Sequence, residues 1–275
     1  MLIMRRYALV PILCACASFL QTPASAVNFY DGVRAPKGHY ILTYCAYYTA
    51  DKYTNAKGVV SHNDYDYVKN EEILRYCYYS PDLVLTAMFP AGNVRSGAYH
   101  MSSEGIGDIN LGIGHFLPLK QADILPALFV KLRNGKYDSA KTVNYGTNQY
   151  DIKPMVFVYK QWGRYSIDAV AKYYFRLENP TTKVSPGDEI HLQFLPGMQL
   201  TKTVKAGPSF NWMQSSSKKV NGAKASDSRR ESMSIGADVY ARTPIAGITF
   251  TYLRDIYSKN TTRGDFFQIK TTFKF

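Results

Sequence analysis

The sequence predicts an all-β fold: a transmembrane, antiparallel up-and-down β-barrel of about twelve strands, within a range of about 10–14. Three observations carry this expectation. At the carboxyl end, Phe267, Ile269, Thr271, Phe273 and Phe275 share one face by period two, while Gln268, Lys270, Thr272 and Lys274 share the other, and the chain stops on the aromatic residue. Past the amino-terminal leader, no apolar run approaches the roughly 20 residues a spanning helix needs. Candidate strands are joined by short turns and longer polar loops.

The elements follow in order. Gly38 to Thr49 is the first strand, and Ala50 to Asn70 reads as a long polar loop. Glu72 to Ser80 and Leu83 to Phe89 flank a short turn, and Pro90 to Glu104 is a Gly-containing loop. Ile106 to Phe116 alternates Ile109, Leu111 and Ile113 with Asp108, Asn110, Gly112 and Gly114. Asp123 to Arg133 precedes a third long loop, Asn134 to Asn148. Gln149 to Gln161 and Tyr165 to Glu178 flank Trp162-Gly163-Arg164, and Asp188 to Leu200 and Val204 to Gln214 flank Thr201-Lys202-Thr203. After the polar stretch Ser215 to Arg230 come Glu231 to Arg242, Ile245 to Tyr257 and Asp265 to Phe275. An even count puts both ends on the short-turn side, which is expected to be periplasmic, with the long loops extracellular. No linker divides residues 27–275, so one barrel domain is expected. A soluble sandwich or lipocalin-like barrel would carry polar outer faces. Here one face holds Ile167, Ala169, Ala171, Tyr173 and Phe175, and another holds Met233, Ile235, Ala237 and Val239.

The leader, residues 1–26, has Arg5 and Arg6, an apolar stretch from Tyr7 to Leu20 and the exit Ala24-Ser25-Ala26. It reads as a signal peptide cleaved after Ala26, and a lipoprotein site at Cys16 is the weaker alternative. Loss of its two arginines turns 33 basic and 21 acidic residues into an excess of ten positive charges. In an exported chain that excess points away from nucleic acid. It suits anionic lipid headgroups or lipopolysaccharide at the barrel rims, a basic lumen, or solvated loops. The 23 Tyr, 14 Phe and 2 Trp suit interfacial aromatic girdles. Cys45 and Cys77 lie in strands expected to be neighbours, which leaves a disulfide and two free thiols both open. The five histidines lack metal-ligand spacing, and no cofactor is expected.

The faces opposite the apolar ones point to the lumen, where binding groups belong. Asp168, Lys172 and Arg176, then His191 and Gln193, then Lys205 and Asn211, then Asp238 and Arg242, and finally Gln268 and Lys270 lie there. Such groups either line a polar pore or pair to close it. Phe267, Ile269, Phe273 and Phe275 are the expected assembly signal for the barrel-assembly machinery. Enzymatic motifs are scarce. Gly105-Ile106-Gly107-Asp108 opens a strand rather than a helix, so it is not a phosphate-binding loop. His39, His115 and His191 have no serine at a recognisable hydrolase spacing.

Asp31-Gly32-Val33-Arg34-Ala35-Pro36-Lys37-Gly38 with its following Tyr-rich strand, Gly105-Ile106-Gly107-Asp108, Pro186-Gly187-Asp188, and Lys259-Asn260 followed by Gly264 together resemble the family called Putative MetA-pathway of phenol degradation. The resemblance runs over nearly all of the chain after the leader. It implies an outer-membrane barrel that moves hydrophobic or aromatic compounds inward, and it places no catalytic residues. No plug-like amino-terminal segment is expected, because the first strand begins about a dozen residues after the cleavage point. The function expected is a passive channel or transporter for small hydrophobic or aromatic compounds in the bacterial outer membrane. The alternatives are a non-conducting barrel whose loops bind host or partner molecules, and a rim-located lipid-modifying enzyme.

Overall fold

The computed structural model describes residues 27–62 and 64–275, so the signal-peptide reading lies outside the described residues. Twelve wall strands follow in sequence: β1 Gly38–Thr54, β2 Tyr67–Tyr79, β3 Leu83–Ser96, β4 in two pieces (Met101–Ile106 and Asn110–His115), β5 Asp123–Lys131, β6 Asp151–Trp162, β7 Tyr165–Arg176, β8 Glu189–Gln199, β9 Val204–Ser215, β10 Glu231–Arg242, β11 Gly247–Lys259 and β12 Thr262–Lys274. Each pairs antiparallel with the next, and β12 returns to β1 in a register that runs from Tyr40↔Lys274 to Tyr53↔Thr262. That last pairing removes both sheet edges. In hydrocarbon, where an unpaired peptide group costs several kcal/mol, closure satisfies the backbone of the wall. Three two-residue strands, Val184–Ser185, Lys219–Val220 and Ala223–Lys224, form a small separate sheet at the long-loop end.

The wall has two chemically different faces. Outward-facing Leu111, Ile113, Val156, Phe175, Phe194, Ile235, Val239, Phe250 and Ile269 are exposed, although each is large and apolar. Inward-facing Asp168, Lys172, Gln193, Asp238, Thr251 and Gln268 are buried. This inversion of the soluble pattern follows from strand pleating with lipid outside and a filled interior. At the short-turn end, exposed Trp162 and Tyr165 flank Gly163, whose φ of 56° the two-residue turn requires.

Three expectations change, and the alternative left open for the cysteines is decided. β1, β2 and β3 reach further into the long-loop end than the sequence indicates, because their tips leave the apolar zone and carry Lys52, Asn70, Asn93 and Arg95 as paired strand residues. Gly105-Ile106-Gly107-Asp108 closes the first half of β4 rather than opening the strand. Cys45 and Cys77 are both free, with Cys77 buried and Cys45 exposed on the opposite face. Cys77 stands beside Tyr40 and Cys45 beside Glu72, so neighbouring strands do not bring the thiols together. Finally, an amino-terminal segment fills the lumen at the short-turn end.

Candidate binding cavity in the lumen

Residues 27–37 precede β1, yet they do not hang below the barrel. Asn28 accepts the Asp31 N–H at 3.2 Å and Tyr30 accepts the Val33 N–H at 3.3 Å, giving two consecutive turns with Tyr30 at φ 70°. The coil enters the lumen and is bound by several strands. The Val27 N–H donates to Gln193 Oε1 at 3.0 Å on β8. The Asn28 amide donates to Asp238 Oδ2 at 3.2 Å and Thr251 Oγ1 at 2.7 Å, and accepts from Gln268 at 2.9 Å. The Tyr30 N–H donates to Asp168 Oδ1 at 2.7 Å, and Asp31 is ion-paired with Lys270 on β12. Phe29 is 1% exposed. Lys205 Nζ lies 4.3 Å from its ring centroid and 4.2 Å from that of Tyr30, close enough for cation–π attraction. Nearer the mouth, the Arg34 side chain pairs with Asp82 and donates to the Leu117 carbonyl at 3.1 Å. An eleven-residue coil thus acts as a plug, contrary to the expectation from its length.

The opposite end is narrowed by the β5–β6 connection, which folds inward. Asp108 holds both of its ends: Oδ1 accepts the Gly135 N–H at 2.8 Å, and Oδ2 accepts the Thr147 N–H at 2.8 Å and its hydroxyl at 2.6 Å. Val143 and Tyr145 pack against Tyr48, Tyr67 and Val94 on the inner wall. A Cβ on Gly107 would lie 2.9 Å from Tyr145 and 3.0 Å from Pro90, so the break in β4 makes room for the connection. The Tyr145 hydroxyl donates to Glu71 at 3.2 Å. Burial first, and the Glu71 carboxylate next, push its phenol well above the usual range, so it remains a neutral donor.

Between coil and connection lies a cavity of about 330 Å³. Its apolar lining includes Ile73, Met88, Phe129, Met155, Phe157 and Met213. Arg75, Lys153 and Lys172 bring positive charge to the same space, while Asp31 and Val27 face it from the coil. Arg75 donates to Thr86 at 2.9 Å and Tyr44 at 3.3 Å, both hydroxyls. Lys153 donates to Asn110 at 2.9 Å and sits 4.8 Å from the Tyr174 ring centroid. Thioether and aromatic walls with a few convergent polar groups are the usual make-up of a small-molecule site.

One side of the lumen is cross-braced by buried charge. Asp151 lies 2.7 Å from Lys131 and 3.9 Å from Arg176. Glu189 takes Arg176 at 2.6 Å, His191 at 3.0 Å, and Arg230 as a third partner. Removing one member of such a cluster strands the others, at a cost of about 3–5 kcal/mol.

The family model for Putative MetA-pathway of phenol degradation matches residues 50–271. The chain belongs to this family. The COG4313 outer membrane channel from Pseudomonas putida F1 superposes with a TM-score of 0.84 at 17% identity, covering 91% of this chain and 100% of that one. The NanC porin does so with a TM-score of 0.53 at 9% identity, covering 86% and 100%. At these identities the likeness is one of fold, that of outer-membrane β-barrels. No curated protein sequence matches the chain.

Against this phenol-degradation family fold, the eight lumen residues expected to bind separate into groups. Lys172 and His191 line the cavity. Asp168, Gln193, Asp238 and Lys270 instead hold the amino-terminal coil, and Arg176 belongs to the charge cluster. Arg242 is exposed at the short-turn end of β10, away from the cavity. His39 bonds Tyr76 and His191 bonds Glu189, so neither has a serine as its hydrogen-bond partner in those contacts. Sequence reading missed Arg75 and Lys153. Both were legible as inward positions: Arg75 shares a face by period two with Ile73 and Cys77, and Lys153 with Met155 and Phe157, along β2 and β6.

Proposed function

We propose that this family member is a passive outer-membrane channel for small hydrophobic or aromatic compounds. The observation that carries the reading is the cavity itself, a partly open space whose lining sets Met88, Phe129, Met155, Phe157 and Met213 beside the charged groups of the lumen. A general pore for hydrophilic solutes gains nothing from a thioether and aromatic wall, whereas an apolar solute is stabilised there by about 25 cal/mol for each Å² of apolar surface it buries. The coil at the short-turn end, which this reading places at the periplasmic side, makes passage conditional on its movement. In the same reading the excess basic charge outside the lumen meets lipopolysaccharide and anionic headgroups at the rims.

The test is uptake of a radiolabelled aromatic solute by cells that carry or lack the gene. The proposal expects slower accumulation without it, restored by the wild-type chain and not by Phe157→Asp. Equal accumulation in all four strains would refute it.

A further inference from the structure

The charges at the cavity floor are arranged around a single carboxylate. Asp31 comes from the coil, not from the wall, and it faces the cavity together with Arg75 and Lys172. It is ion-paired with Lys270, and Lys172 and Arg75 line the same cavity as its carboxylate. Three wall cations from β2, β7 and β12 are therefore grouped around one acid carried by a removable segment. Among the described residues Arg75 forms no ion pair of its own; its guanidinium is spent on the Thr86 and Tyr44 hydroxyls. A planar guanidinium with neutral partners retains capacity for a stronger, charge-assisted bond to a carboxylate. In the same cavity Met88, Phe129, Met155 and Phe157 offer an apolar wall.

Resting on the channel reading above, we propose that the floor is a carboxylate site in which Asp31 occupies the place of the ligand's own carboxylate. The ligand class is an amphipathic organic acid with an apolar, preferably aryl, body. Its carboxylate takes over the ion pair of Asp31 with Lys270 at the end of the cavity that Lys172 and Arg75 also line, and its body lies against the methionines and phenylalanines. Exchange of one carboxylate for another leaves the charge balance at these cations unchanged and loosens the coil, which loses its tie to β12. The solute thereby opens its own exit at the short-turn end. The coil's remaining ties, among them Tyr30 to Asp168, Asn28 to Asp238 and the Arg34–Asp82 ion pair, do not involve these cations.

The experiment measures binding of 4-phenylbutyrate and its uncharged amide to the chain 27–275 in lipid nanodiscs, corrected for empty nanodiscs. Hydrogen exchange of residues 27–37 is followed in parallel. The proposal expects the acid to bind at least about tenfold tighter than the amide, a difference within the range of one charge-assisted contact. It expects Lys172→Met to bring the two within about twofold, and Asp31→Asn to tighten the acid by about tenfold while leaving the amide unchanged. Exchange in the coil should accelerate with the acid and not with the amide. Equal binding of acid and amide, unaffected by either variant, overturns the carboxylate site while leaving the channel reading intact. If neither compound binds, both fail. Heat-modifiable mobility of each variant identifies a failure to fold, and Arg75→Met then replaces Lys172→Met as the discriminating change.

Discussion

Asp168 on β7 accepts the backbone N–H of Tyr30 at 2.7 Å through one carboxylate oxygen and takes Lys205 at 3.2 Å through the other. One buried side chain thus joins the barrel wall to the coil that fills it, and the cation it neutralises also faces the Phe29 and Tyr30 rings.

Asp168→Ala is therefore expected to loosen the coil and leave Lys205 buried beside aromatic rings without its counter-ion, a loss of about 3–5 kcal/mol from this cluster. Single-channel recording should show a larger or noisier conductance than wild type. The double change Asp168→Ala with Lys172→Ala should in addition alter ion selectivity. An unchanged current in Asp168→Ala would show that the coil does not depend on this carboxylate.

Asp108→Ala removes three hydrogen bonds at once from the β5–β6 connection. Each bond to the carboxylate is worth about 1.5–3 kcal/mol. The expected outcome is protease cleavage within residues 134–148 at concentrations that leave the wild-type connection intact, with the barrel itself resisting digestion.

Phe275 closes the outward ladder of β12 and stacks on His39 with ring centroids 5.9 Å apart. Its deletion, or a change to a charged residue, is expected to lower the amount of barrel assembled in the outer membrane. Heat-modifiable mobility of membrane fractions measures this, and wild-type levels would argue against an assembly role for the terminal aromatic.

Because Cys45 and Cys77 lie on opposite faces of the wall, the folded chain should show the same electrophoretic mobility with and without reductant. Denaturation of the chain 27–275 should release two alkylatable thiols. A mobility change on reduction would contradict the strand register.

The strand count and the outward faces of β7, β10 and β12 were legible because lipid contact demands an unbroken apolar set at every second position, as in Ile167 to Phe175. That signal fades where the wall rises out of lipid, so the paired tips carrying Lys52, Asn70 and Asn93 look like loop. The coil was illegible for a different reason. Val27, Asn28 and Phe29 have no periodicity, and their partners Gln193, Asp238, Thr251 and Gln268 lie more than 160 positions away. Its insertion is decided by three-dimensional closure, which no local pattern records. The same holds for Asp108, whose acceptor role emerges only when a connection 27 to 39 residues downstream folds back.

The most direct test of the channel account is single-channel conductance of the refolded chain 27–275 in planar bilayers, with phenols and aromatic acids added to either side. The account predicts small, discrete conductance steps that these solutes reduce in a concentration-dependent way, as they occupy the cavity between coil and connection. A correctly folded barrel that stays silent under all conditions, or conducts without responding to any of these solutes, would contradict it.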